Sequence, residues 1–265
     1  MTRAPGARRH SRHDAARRTS HDSSPDLPRH RWQQGHRPRD RGPTRPPRPH
    51  RHIGARSLER GEEAAAELRA DGDAVTSVAL DVTDAASVAA AAEQVASEHG
   101  RLDALVNNAG ISHQPGADFA GQLPRSADVD HVRAVFETNV FGVITVTSAF
   151  LPLLRRSASP RIVNVSSSAG SLAAISDFEN TDPIALGYVP SKTALTAVTM
   201  MYARDLASEN ILVNAVCPGF VATDLNGHRG LLTPVEGARS AVAMATIASD
   251  GPTGTFNDID GPVAW

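Results

Sequence analysis

Tyr188 and Lys192 stand four apart in GYVPSKTALTAVTMMYARD, which puts them one turn apart on a single helix face. A free phenol has a pKa of about 10. A nearby ammonium favours the phenolate and makes a tyrosine a usable general acid/base near neutral pH. Lys192 is the only lysine in the chain, against 26 arginines, so an arginine would not serve in its place. The same pair also fits a half-buried tyrosine and a surface lysine on an amphipathic helix. Other residues bear on the choice. Ser166, Ser167 and Ser168 follow the apolar run RIVNV, where a hydroxyl can donate to a substrate carbonyl oxygen; they also make an ordinary serine-rich turn. Asn107 to Gly110 (NNAG) ends another apolar run, and its small residues let a flat ligand approach the backbone. Cys217-Pro218-Gly219 ends a third. Asn139 lies inside a long helical pattern, where asparagine costs propensity.

These residues must be held by a regular frame. HIGAR (52–56) ends a strand-like run, and 57–72 has helical spacing at Leu58, Ala65 and Leu68, closing on Gly72. A strand is predicted over 74–84, leaving at Asp81, and a helix over 85–100. Strands then head 102–110, 161–170 and 211–223, with helices over 128–157 and 187–208. Strand and helix alternate, and the strands are continuously apolar. That implies an α/β fold, a doubly wound parallel sheet with helices on both faces. Ligands of such sheets sit beyond the carboxyl ends of the strands, where the polar residues named above cluster.

Composition divides the 265 residues in two. Residues 1–52 hold 14 arginines, 7 of the 11 histidines and 8 of the 18 prolines, but no Ile, Val, Phe, Tyr or Cys. Such a segment cannot bury enough apolar surface to offset its ordering entropy. Residues 53–265 have the make-up of one globular domain, with 13 basic against 25 acidic residues. An acidic body argues against nucleic acid as a partner. The single cysteine, Cys217, excludes an internal disulfide and suggests a reducing compartment such as the cytoplasm. No membrane span, secretory signal or metal-ligand set is read.

Taken together, Asp81, Asn107 to Gly110, Asn139, Ser167, Tyr188, Lys192 and Pro218-Gly219 resemble, in order and spacing, the short-chain dehydrogenase/reductase family over roughly 53–265. The resemblance implies a single Rossmann-type domain that transfers a hydride between NAD or NADP and a carbonyl or alcohol. It implies Tyr188 as acid/base and Lys192 as the group that lowers the tyrosine pKa and holds the nicotinamide ribose. Ser167 would position the substrate oxygen, a choice made among its neighbours on the family's strand-turn pattern. Asn139 would support a water in the proton relay. Asp81 and Val82 would contact the adenine, Asn108, Ala109 and Gly110 would line the cofactor, and Pro218, Gly219 and Thr223 would meet the nicotinamide end. NAD-using members carry a carboxylate at the end of the second strand for the ribose 2′-OH. Here that corner is Ala55-Arg56-Ser57, and an arginine can pair with a 2′-phosphate. NADP is therefore the expected cofactor, with NAD as the alternative, and carbonyl-reductase-like members the nearer resemblance. The expected substrate is a small to medium apolar carbonyl compound. Either a monomer or a homo-oligomer fits.

One departure from the family is large. Its first strand and TGxxxGIG turn belong 20 to 25 residues before Gly54, and nothing of that form occurs in residues 1–53. The codons allowed for His30 to Arg41, read one base later, permit Thr-Gly-Gly-Asn-Lys-Gly-Ile-Gly-Arg-Glu-Ile, the missing motif at the right distance. Trp32 has one codon and Gln33 and Gln34 two each, so the match is constrained. The expectation is an out-of-frame segment up to about residue 52, leaving the first strand and glycine turn missing. A different reading is a catalytically inactive chain of this fold whose basic arm binds a polyanion.

Overall fold

The structure is a computed structural model, and it describes residues 49–114, 116, 119–179 and 184–265. The glycine-turn and arm expectations for residues 1–48 lie outside these. The elements alternate as the apolar pattern predicts. β1 (Arg51–Ala55), α1 (Leu58–Ala70), β2 (Val75–Ala79), α2 (Ala85–His99) and β3 (Ala104–Asn107) come first. Then follow α3 (Val129–Phe136), α4 (Gly142–Leu154), β4 (Arg161–Val165), the single-turn α5 (Leu172–Ile175) and α6 (Tyr188–Asp205). β5 (Leu212–Val216), α7 (Pro234–Ala245) and β6 (Phe256–Asn257) close the chain. β1 takes in Arg51 and His52, on the far side of the boundary drawn at residue 53; the Arg51 amide donates to the Ala74 carbonyl at 2.9 Å and starts the ladder.

Local chemistry sets the helix ends. Ser57 caps α1 through the Arg60 amide at 3.3 Å, and Asp84 caps α2 through the Ala86 amide at 2.9 Å. Gly100 ends α2 at φ 70°, a left-handed position that a side chain would strain. The helix expected over 128–157 is interrupted at Glu137–Phe141 by a π-helical turn that contains Asn139. By length and apolarity the run Val129–Leu154 could cross a bilayer, but it packs here as a core helix on β3 and α2.

The named strands pair in parallel and form two sheets, β1-β2 and β3-β4-β5-β6. One helical layer spans both: Val88, Ala91, Ala92 and Val95 of α2 and Val146, Phe150 and Leu153 of α4 pack with Val78 and Leu80 on one side and Leu105 on the other. Among the described residues β1 has no strand partner besides β2, and β3 none besides β4. The effect on packing is local. Val106 of β3 is 41 % exposed, whereas Val163 of β4 and Val213 of β5 are fully buried. This is a doubly wound α/β sheet with its central strand position unfilled among the described residues.

Candidate active site

Four sequence-distant pieces meet at the carboxyl ends of β3, β4 and β5. Beneath them lies a buried polar ladder. Asn107 Nδ2 donates to Asn164 Oδ1 at 2.8 Å and to Thr147 Oγ1 at 3.2 Å, and Asn164 Nδ2 donates to Thr199 Oγ1 at 2.8 Å. Satisfied buried amides of this kind fix the register of β3, β4 and α6.

β4 leads into the three serines, and the fold gives each a different task. Ser166 is buried against α6, bonding the Lys192 carbonyl at 3.1 Å and Thr196 Oγ1 at 2.9 Å. Ser168 donates its amide to Cys217 Sγ at 3.3 Å, tying this turn to the end of β5. Ser167 caps the following turn, its Oγ accepting from the Ala169 amide at 3.3 Å, and it stands close enough to the Tyr188 phenol to pull its pKa down. Gly170 makes this approach possible. A Cβ there would lie 2.7 Å from the Thr193 nitrogen and 2.8 Å from the Lys192 carbonyl carbon, so the turn rests directly on the α6 backbone.

Lys192 is 4 % exposed, and its Nζ donates to the Val165 carbonyl at 2.9 Å. The ammonium lies 5.7 Å from the Tyr188 ring centroid. Burial lowers its pKa to about 8. Burial also pushes the Tyr188 phenol above its ordinary range, with the neighbouring Ser167 hydroxyl pulling the other way. In this arrangement the ammonium is committed to the Val165 carbonyl, and burial is the largest influence on the phenol.

Asn139 is fully buried. Its Oδ1 accepts from the Ile111 amide at 2.8 Å, and its Nδ2 donates to the Ile111 carbonyl at 2.9 Å and Ser191 Oγ at 3.0 Å. Both amide hydrogens are used, so the side chain clamps the loop after β3 to α6 rather than offering a donor to a water. Gly110 lies in that loop, and a Cβ there would come within 3.4 Å of both Asn139 Oδ1 and Lys192 Nζ. Asn108 and Ala109 are exposed beside it. Pro218 and Gly219 follow β5, with Gly219 at φ 78°, and Thr223 starts a short helical turn capped reciprocally with Asn226.

A second group of predicted residues stands at the ends of β1 and β2. Ala55, Arg56, Ser57 and Arg60 line a cavity of about 470 Å³. Asp81 accepts from the Thr83 amide at 2.9 Å and Thr83 Oγ1 at 2.7 Å, bonds that hold its carboxyl below the usual range, with Arg56 adding a smaller pull. Val82 touches α4: a Cβ on Gly142 would meet its Cγ2 at 2.8 Å.

Gln122 was not singled out by sequence. It is fully buried; its Oε1 accepts from the Tyr188 amide at 3.2 Å and its carbonyl from the Leu186 amide at 2.7 Å. It caps the helix that carries Tyr188, whose own cap position is Gly187. A lone glutamine ending a short 3-10 turn gives no periodic signal that could have revealed this.

The family model described as short chain dehydrogenase matches residues 50–231. Short-chain dehydrogenase anuI of Penicillium roqueforti (strain FM164) is 37 % identical over 204 residues, covering 74 % of this chain and 78 % of its own. Salutaridine reductase of Papaver bracteatum is 32 % identical, covering 78 % of this chain and 85 % of its own. Among solved structures, the NADPH-bound carbonyl reductase from chicken fatty liver superposes with a TM-score of 0.64 at 27 % identity, covering 81 % of this chain and 86 % of that one.

Proposed function

The chain belongs to the short-chain dehydrogenase family and is an oxidoreductase of carbonyl and alcohol compounds, and from that premise we propose an NADPH-linked reductase of apolar carbonyl compounds. The observation that carries this reading is the convergence of the Ser167 turn, resting through Gly170 on the α6 backbone, with Tyr188 and the Lys192 ammonium 5.7 Å from its ring. Bound NADPH would supply the hydride. Tyr188, with its pKa raised by burial, is protonated at neutral pH and is the proton donor to the substrate oxygen. Ser167 donates a second hydrogen bond to that oxygen and fixes it near the phenol. Lys192 and Gly110 form the wall against which the nicotinamide ribose would rest, and Asn139 holds that wall in place.

The residues present fit both ends of the dinucleotide. Arg56 and Arg60 at the cavity after β1 offer two guanidiniums to a 2′-phosphate, with no carboxylate lining it. The NADP-bound state of the chicken carbonyl reductase is in keeping with this choice. Asp81 and Val82 border the adenine side, Asn108 and Ala109 the middle, and Pro218, Gly219 and Thr223 the nicotinamide end. A glycine-rich pyrophosphate bed is not found among the described residues. Phe178, Ile184, Phe220 and Leu231 are exposed in the segments around Tyr188 and after β5, matching an apolar substrate. Cys217 is buried and free, as suits a reducing compartment.

The test is NADPH oxidation with a panel of apolar ketones and aldehydes, for a parent in which the shifted frame restores the glycine turn and for Tyr188→Phe in that parent. A general acid contributes about 10²- to 10⁴-fold. The variant should lose turnover by that factor and retain cofactor affinity. Activity within a few-fold of the parent would remove Tyr188 from the chemistry.

A further inference from the structure

In the chain as its present frame reads, three histidines with no part in this site converge elsewhere. His50 and His52 alternate at the entry to β1 and so share a face; His99 is the last residue of α2. One ring nitrogen from each lies within 4.8 Å of the other two. The ring centroids are 4.4 to 5.0 Å apart. Around them stand two oxygen groups. Thr76 Oγ1 is 2.9 Å from His52 Nδ1 and 3.2 Å from His50 Nε2. Glu98 Oε2 is 3.7 Å from His99 Nε2 and 4.0 Å from His52 Nδ1. His52 Nε2 is buried without a hydrogen-bond partner, and a buried polar atom left so is costly.

We propose that His50, His52 and His99 bind one divalent transition-metal ion of the zinc type, with the nearby Glu98 carboxylate offsetting its charge and a water completing the tetrahedron. Imidazole ligands select zinc, copper or nickel over magnesium or calcium. Bonds of about 2.0–2.1 Å in a tetrahedron bring ligand atoms to about 3.3 Å apart. The nitrogens must therefore draw in by about 1.5 Å at most. His50 is exposed and the His99 side chain is 34 % exposed, so both have room to turn. Thr76, bonded to His52 Nδ1, would fix that ring, as oxygen partners do for metal-bound histidines. The ligands come from two elements 47 residues apart in sequence, His52 and His99. An unfolded chain does not hold them together, so binding adds to folding stability. The ion would pin the entry of β1 to the end of α2, the helix that reaches across to the second sheet. It is structural, with no step in the reductase reaction.

Five other histidines lie at positions 10, 13, 21, 30 and 36 and could bind metal themselves, so the test separates them. The full chain, in its present frame, is titrated with Zn²⁺ during thermal unfolding and with Co²⁺ in the visible. The parent should bind one equivalent of Co²⁺ with the intense absorption of a four-coordinate ion, and its Tm should rise with Zn²⁺. His99→Ala should weaken binding at least tenfold and abolish both signals, and His50→Ala should do the same. His36→Ala should leave both unchanged. Metal-free His99→Ala should unfold as the metal-free parent does, because its side chain lies at a surface helix end. Full retention of the cobalt band in both His99→Ala and His50→Ala would place the metal on the arm and overturn the proposal. A parent that responds to neither ion would reduce the cluster to stacked imidazoles.

Discussion

Tyr188 and Lys192 share one helix face, and burial drives both toward their neutral forms. The phenol keeps its proton, and the amine gives one up more readily. This has a sign that can be measured. Lowering the lysine from 10.5 to about 8 corresponds to about 3 kcal/mol against the folded ammonium. Below pH 8 the folded and unfolded states both carry the proton, and the full cost is present. Between about 8 and 10.5 the unfolded state holds more protons, so stability rises with pH. Tyr188 and other groups titrate nearby, so the informative quantity is the stability difference between Lys192→Met and the parent. It should favour the variant most below pH 8 and shrink steadily toward pH 10.5, as read by urea unfolding. A flat difference across that window would mean that the buried amine is already solvated. At the proposed cofactor's other end, Arg56→Asp in the frame-shifted chain removes the guanidinium proposed to meet the 2′-phosphate and adds an acceptor for a ribose hydroxyl. The ratio of kcat/KM for NADPH over NADH should fall by at least tenfold. An unchanged ratio would transfer the phosphate contact to Arg60 or elsewhere.

At the scale of elements, the site depends on where α6 begins. Gly187 has no side chain to cap the helix, and a Cβ there would sit 2.9 Å from Gln122 Oε1 and 3.3 Å from Val135. Gln122 supplies the cap from a separate 3-10 turn. Replacing it by leucine leaves the buried Tyr188 amide without an acceptor, at about 1–3 kcal/mol. In the frame-shifted chain, Gln122→Leu should therefore lower the Tm by several degrees and reduce kcat more than it raises KM, because the phenol shifts while the substrate surface remains. Gln122→Glu, which keeps the acceptor, should restore part of kcat; equal damage from both would reduce Gln122 to a packing role. Much of this frame was legible beforehand. Gly72 and Gly100 stop α1 and α2, and the apolar runs mark β3, β4 and β5, because such stops and periodicity are local. The π-helical turn at Asn139 was read as continuous helix, since one inserted residue barely disturbs a 3.6 period. The capping box Thr233–Glu236 that starts α7 was present in the sequence but went unread, and the two residues of β6 are too few to show a pattern. Ser167 emerged from its neighbours on the family pattern. Gln122 and the histidine cluster did not emerge, because both are made by contacts between distant segments.

At the scale of the molecule, the two sheets share a helical layer but no strand ladder among the described residues. Strands β1 and β3 each carry an edge of amides and carbonyls that a shared neighbour would pair. Residues 1–52 offer almost no β-branched or aromatic side chain to build such a neighbour. The pyrophosphate likewise needs backbone amides preorganised at a glycine turn and helix start, and loose arginines do not substitute for a fixed nest. The chain as it stands should therefore bind NADPH weakly and turn over little, although Ser167, Tyr188 and Lys192 are all in place. Shifting the frame so that the stretch reads Gly-Gly-Asn-Lys-Gly-Ile-Gly should recover cofactor binding and a single cooperative unfolding transition together, because one strand supplies both. Peptide masses across residues 27–55 would establish which frame the native polypeptide uses. The energetic claim is decided by NADPH fluorescence titration of the two chains side by side. Binding in the micromolar range or tighter should appear only in the shifted chain. Equal micromolar affinity in both would show that the arginine-rich segment itself forms a phosphate site, and the central strand would then be dispensable for holding the dinucleotide.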